Sequence, residues 1–182
     1  MAGSALANLV SLADYRAAVN PPRHVTDAQL EQLLSAASAK VRRYCGWHIA
    51  PVVTDHVVVD GPGTNTVMLP TMRLLEVKVL TENGMDVPLA DLEWSEDGYL
   101  RKYHGAAWTG RLRGLKATIL HGHDDLPDLE QVVIDVVARA SLIPTGITQE
   151  STGSSAVSYA GDGAVRFMAP ERETLNMYRV RS

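Results

Sequence analysis

The chain has 182 residues, enough to bury roughly 70% of the surface it would expose unfolded, so a core forms without covalent staples. Hydrophobic residues make up 46% and charged residues 21%, which excludes wholesale disorder; a formal charge of −4 offers no basic field to recommend nucleic acid as a partner. One cysteine, Cys45, excludes an internal disulfide and any multi-cysteine metal site.

Met1 to Val10 lacks the basic start and unbroken apolar run of a signal peptide. No stretch approaches the ~18 apolar residues of a membrane span. The expectation is a chain neither exported by the general route nor embedded in a membrane. Ser11 can cap a short helix near 11–19, with Asp14 three residues on and Leu12, Tyr15 and Val19 on one face. Asn20-Pro21-Pro22 stops it. Thr26 with Gln29 forms a capping box for a second helix, 26–45. Its apolar stripe is Leu30, Leu33, Leu34, Ala37, Val41 and Tyr44, and Gly46 is its C-cap.

From about 51 to 123 the period changes from helical to strand-like. Val52-Val53, Val57 to Val59, Met68-Leu69, Leu74 to Leu80, Val87 to Leu89, Leu92 to Trp94, Tyr99 to Lys102 and Leu115 to Leu120 read as short strands. Asn83-Gly84 and Asp97-Gly98 are hairpin signals, so this is an antiparallel β unit inserted between helices. Pro127 opens a third helix, 127–143, with the stripe Leu129, Val132, Val133, Val136, Val137 and Ala140, ended by Pro144. Thr145 to Gly163 is rich in Gly, Ser and Thr, and a last short helix, 170–178, follows Pro170. The fold class is α+β: a small helical bundle with an inserted β unit and a long C-terminal arm. The predicted division is a body at 1–144 and an extended loop and arm at 145–182.

Few residues point to chemistry. His121, His123 and Asp124 are the only cluster of metal-ligand types, without the helical spacing of a zinc motif; a strand end leading into a helix start, with the acids serving the helix terminus, is the favoured explanation. Cys45 ends an apolar helix face with no base beside it. Gly61-Pro62-Gly63-Thr64 lacks the lysine of a phosphate loop. Charge is distributed in blocks. An acidic stretch from Glu82 to Asp97, including Glu93 and Glu96, precedes Arg101, Lys102, Arg111, Arg113 and Lys116. Such blocks suit a surface that meets copies of itself or another protein, and equally a set of unrelated solvated faces.

In order and spacing, the chain resembles the head-to-tail connector, or adaptor, family of tailed bacteriophages. The resembling residues are Leu12-Ala13-Asp14, Thr26-Asp27 with Leu30, Leu34 and Ala37, and Val41 with Tyr44-Cys45-Gly46. They continue through Met68-Leu69-Pro70 with Leu74, Val77 and Val79, then Asp97-Gly98-Tyr99-Leu100, Ile119 to His123, Val157-Ser158-Tyr159 and Glu173 to Arg179. The departure is the size of the β insertion, since compact members of the family are mostly helical.

The resemblance implies a structural virion protein with no enzymatic role and no cofactor, made in the host cytoplasm and residing at the neck. It implies a twelve-fold ring beneath the portal protein, followed by the next neck protein, with DNA passing through the channel without sequence-specific binding. Val157, Tyr159, Phe167, Leu175, Tyr178, Arg179 and Arg181 are the expected portal-binding arm, and Arg101, Lys102, Arg111, Arg113, Glu93 and Glu96 the expected ring contacts. The competing readings are a metal-dependent hydrolase or nuclease using His121, His123 and Asp124, and a peptide-binding assembly factor that forms no ring.

Overall fold

Helix α1 (Leu12–Ala18) starts where the Ser11 hydroxyl accepts the Asp14 N–H at 3.1 Å, and α2 (Asp27–Cys45) starts at a reciprocal capping box. In that box Thr26 N–H donates to the Gln29 side chain (2.9 Å), and Gln29 N–H to the Thr26 hydroxyl (3.3 Å). Both follow the sequence reading. The computed structural model describes residues 6–22, 24–142, 149–152, 155–158 and 165–180. They belong to two compact units, Met1–Tyr44 with Leu126–Met177, and Cys45–Asp125 with Tyr178–Ser182. This cuts the chain differently from a body at 1–144 and an arm at 145–182. The last helix belongs to the first unit and the closing residues to the second.

The first unit is helical. On α2, Leu30, Leu34, Ala37 and Val41 are fully buried. Helix α3 (Pro127–Ser141) begins with Pro127, whose missing N–H costs nothing at a helix start, and buries Leu129, Val133, Val136 and Val137. The predicted Gly/Ser-rich loop contains a hairpin, β8 (Gln149–Thr152) paired antiparallel with β9 (Ser155–Ser158). Helix α4 (Ala169–Met177) closes the unit, with Leu175 fully buried.

The second unit is the β insertion. Strands β1 (Val53–Val59), β3 (Leu74–Glu82), β4 (Met85–Asp86) and β7 (Leu115–His121) form an antiparallel sheet in the order β1-β7-β3-β4. Strands β2 (Thr66–Met68), β5 (Leu92–Trp94) and β6 (Tyr99–Lys102) form a second sheet, β2-β6-β5. Alternate residues of both sheets, including Leu74, Leu80, Leu100, Leu115 and Ile119, bury one shared core around Trp108. Asn83 and Gly84, both at positive φ (55° and 84°), make the β3–β4 turn the sequence announces. Val87 to Leu89 is not a strand. Pro88 has no N–H to give a ladder, and a 3-10 turn (Leu89–Asp91) follows it.

Candidate assembly surface

The residues that the sequence offers for chemistry fall in different surroundings. His121, at the end of β7, is 2% exposed, and its ring lies 4.2 Å from that of His48, between centroids. The Asp55 carboxylate stands 3.8 Å away. His123 instead meets the rings of Trp47 (5.8 Å) and Tyr178 (5.9 Å), and Asp124 is exposed. Among the described residues no three His, Cys, Asp or Glu side chains are placed to hold a metal ion, so His121, His123 and Asp124 do not form the centre that a hydrolase would need. Cys45 is buried, which pushes its thiol up to about 12 against the opposing charge of Arg179. Its thiolate is therefore scarce at neutral pH. His48 is the member of this cluster that the sequence did not reveal. It lies on an irregular turn beside Ile49 at φ 68°, far in sequence from β7, so no spacing rule connects the two.

Burial, and then the neighbouring His48 charge, lower the His121 pKa from 6.5 to about 4, while Asp55 pulls the other way. The unfolded chain protonates this ring near pH 6.5 and the folded chain only near pH 4. Between those values the unfolded state binds more protons, and stability falls as pH falls. We expect up to about 3 kcal/mol to be lost on acidification from pH 6.5 to 4. Denaturant unfolding across that range should show this loss, and His121→Leu should flatten it. An equally steep loss in the variant would place its origin elsewhere.

Much of the segregated charge is neutralised within the chain. Arg101 binds Glu93 on the adjacent strand (Nε to Oε2 2.9 Å), and Arg73 binds Glu96 at 2.7 Å. Lys102 is more deeply committed. Its ammonium is 2.7 Å from Glu82, donates to the Ala107 carbonyl and lies 4.6 Å from the Trp108 ring centroid. Burial alone would raise the Glu82 pKa, but the Lys102 ammonium and the Thr109 N–H (2.6 Å) outweigh it and hold the carboxyl below its ordinary range. Lys102 thus clamps the loop after β6, its ammonium committed to Glu82 and the Ala107 carbonyl within the chain. Arg111, Arg113 and Lys116 are exposed, and among the described residues their charged groups have no partner.

The C-terminal segment is docked on the first unit through Phe167 and α4. Lys40 donates to the Val165 carbonyl (2.5 Å), and the Phe167 ring meets Tyr44 edge-on at 5.9 Å. Tyr44 also donates to Asn176 (2.8 Å). Glu171 accepts the Met168 N–H (2.6 Å), half of a capping box, and pairs with Arg139 at 2.8 Å. Leu175, expected on the binding arm, is instead part of the unit's own core: a fully buried side chain has no surface to offer a partner. Phe167 stays half-buried at the surface. In the second unit the Tyr178 carbonyl accepts the Trp47 indole N–H (2.7 Å), and Arg179 is exposed. Tyr159 and Arg181 lie outside the described residues, as does the Val157 side chain.

A family model of the head completion protein matches residues 8–138, more than two thirds of the chain. The chain belongs to that family. The role of a head completion protein is structural, as a virion component where head meets tail, and the connector resemblance read from the sequence agrees with it. Among solved structures the chain is similar to one in the neck of the empty gene transfer agent (GTA) particle computed with C6 symmetry. That similarity has a TM-score of 0.58 at 14% identity, covering 95% of this chain and 90% of the other. A chain in the neck of the native GTA particle computed with C12 symmetry gives 0.57 at 12% identity, covering 97% and 95%. One in the virion of the native GTA particle gives 0.56 at 14%, with the same coverage. At these identities the likeness is one of fold. No curated protein matches this family member significantly.

Proposed function

We propose that the chain forms a twelve-fold adaptor ring beneath the portal protein, lengthening the channel through which DNA leaves the head and receiving the next neck protein. The observation that carries this reading is the family match over residues 8–138. The likeness in fold to a chain of a C12 neck supports it. Such a ring closes by heterologous contacts, each copy offering one face to a different face of the next. Net charge −4 suits a channel wall past which DNA must slide, since tight phosphate binding would hinder it.

Arg111 and Arg113, exposed and unpaired among the described residues, are the leading ring contacts. Arg101, Glu93 and Glu96 would join them only by exchanging partners, which costs little for exposed pairs. Portal binding is assigned to Phe167, Tyr178 and Arg179, with Val157, Tyr159 and Arg181 of the same C-terminal stretch. Aromatic and arginine side chains are enriched at interface centres.

Polar, charged contacts of this kind are weak until many copies are held together. The free protein should therefore sediment as a monomer at micromolar concentration and moderate salt, and co-sediment with purified portal rings. Deleting residues 169–182 would remove the buried Leu175 and with it part of the first unit's core, so the cleaner variant is Phe167→Ala with Arg179→Ala. It should stay folded by circular dichroism and bind portal at least tenfold more weakly. Unchanged affinity would move the anchor to the helical body.

A further inference from the structure

The turn that carries Arg111 and Arg113 is built to hold its shape. Gly61 N–H donates to the Arg111 carbonyl (2.9 Å), Gly63 N–H to the Thr109 carbonyl (3.1 Å) and Arg113 N–H to the Asp60 carboxylate (2.6 Å). Gly114 bonds Arg111 and Asn83 on either side (3.1 and 2.7 Å). A Cβ at Gly61 would lie 2.0 Å from the Thr109 carbonyl oxygen, so the two loops are in direct backbone contact. Arg113 is held at φ 52°, in the left-handed region. At the apex is Leu112, 76% exposed, flanked by two guanidinium groups that have no partner among the described residues. No part of this chain's own core calls for a leucine there. The backbone of this Arg-Leu-Arg prong is already fixed and loses little freedom on binding.

The first unit carries a groove of complementary character. It has a volume of about 670 Å³ and is lined mainly by apolar side chains, among them Val19, Pro22, Leu142, Met168 and Pro170. Leu142 (67%) and Met168 (53%) are exposed there. The lining carboxylates are Asp135 and Glu171. Glu171 is taken by Arg139, whereas among the described residues Asp135 accepts only the Gln131 side-chain amide (2.8 Å) and has no cation paired with it.

We infer that the Arg111-Leu112-Arg113 prong of one copy docks in the Val19–Leu142–Met168 groove of a second copy, with Leu112 seated among the apolar side chains and a flanking arginine on Asp135. Prong and groove are different surfaces of the same chain, so the contact is heterologous, the kind that generates rings. Two arginines alone would suit a phosphate backbone equally well. The leucine between them, the most exposed large hydrophobic side chain among the described residues, selects a partner with an apolar pocket. The inference rests on the ring reading and assigns that reading its contacts.

Single-cysteine pairs test it. Full-length Leu112→Cys protein is mixed with full-length Met168→Cys protein at high concentration and low salt under mild oxidation; native Cys45 is buried and takes no part. Disulfide-linked heterodimer should exceed, several-fold, that from Tyr103→Cys with Met168→Cys, since Tyr103 is comparably exposed outside the prong. Adding Arg111→Glu and Arg113→Glu to the prong copy should remove the excess, and Asp135→Arg in the groove copy should restore it. A yield no greater than the Tyr103 control, or one indifferent to the charge swaps, overturns the docking. If wild-type rings still form on portal, the ring reading survives that failure; if no rings form, both fall.

Discussion

Leu34→Ala should lower the unfolding free energy by roughly 2–5 kcal/mol, the cost of removing a buried leucine and leaving a cavity that relaxes only in part. Leu34 is fully buried midway along α2, in one stripe with Leu30, Ala37 and Val41. No polar atom enters the comparison, so the loss reports packing alone. The measurement is denaturant unfolding followed by helical circular dichroism, with an unchanged m-value so that the midpoint shift reads as stability. A loss near zero would mean that the stripe faces a partner in the assembly and not the core of the unit.

Trp108→Ala should cost about 3–5 kcal/mol in the second unit. Trp108 is 2% exposed at the centre of the core shared by the two sheets, and its indole N–H points to the Leu100 carbonyl (3.4 Å). The change empties the largest side-chain volume in that core. It also strips the Lys102 ammonium of the ring beneath it while leaving the ion pair with Glu82 in place. Trp94→Ala is the matched control: Trp94 is among the exposed side chains, and its loss should stay within about 0.5 kcal/mol. Equal effects at the two tryptophans would show that the two-sheet core does not form as described.

Elements that declare themselves locally were legible in the sequence. The Thr26–Gln29 capping box, the Pro127 helix start and the Asn83-Gly84 turn each act within a few residues, and the structure contains all three. The apolar stripes of α2 and α3 were legible for the same reason, because period alone places those residues on one face. What needed the fold was partnership at long range. The acidic and basic blocks read as segregated along the chain, yet β5 lies beside β6 and brings Glu93 onto Arg101. Glu82 and Lys102, twenty residues apart, meet as a part-buried pair. Leu175 has the spacing of any short amphipathic helix, and no local rule says whether such a face turns to a core or to a partner. The prong at Arg111 to Arg113 was legible only as charge. Its rigidity comes from contacts with residues about fifty positions earlier.

The central claim is that copies of this chain close into a ring on the portal. The mass of the complex formed with purified portal rings, read by multi-angle light scattering against the free components, tests it most directly. The expected result is a monomer in isolation and a complex containing one copy per portal subunit, unchanged when the protein is added in further excess. A complex that saturates well below one copy per subunit, or a stable ring that assembles with no portal present, would contradict it.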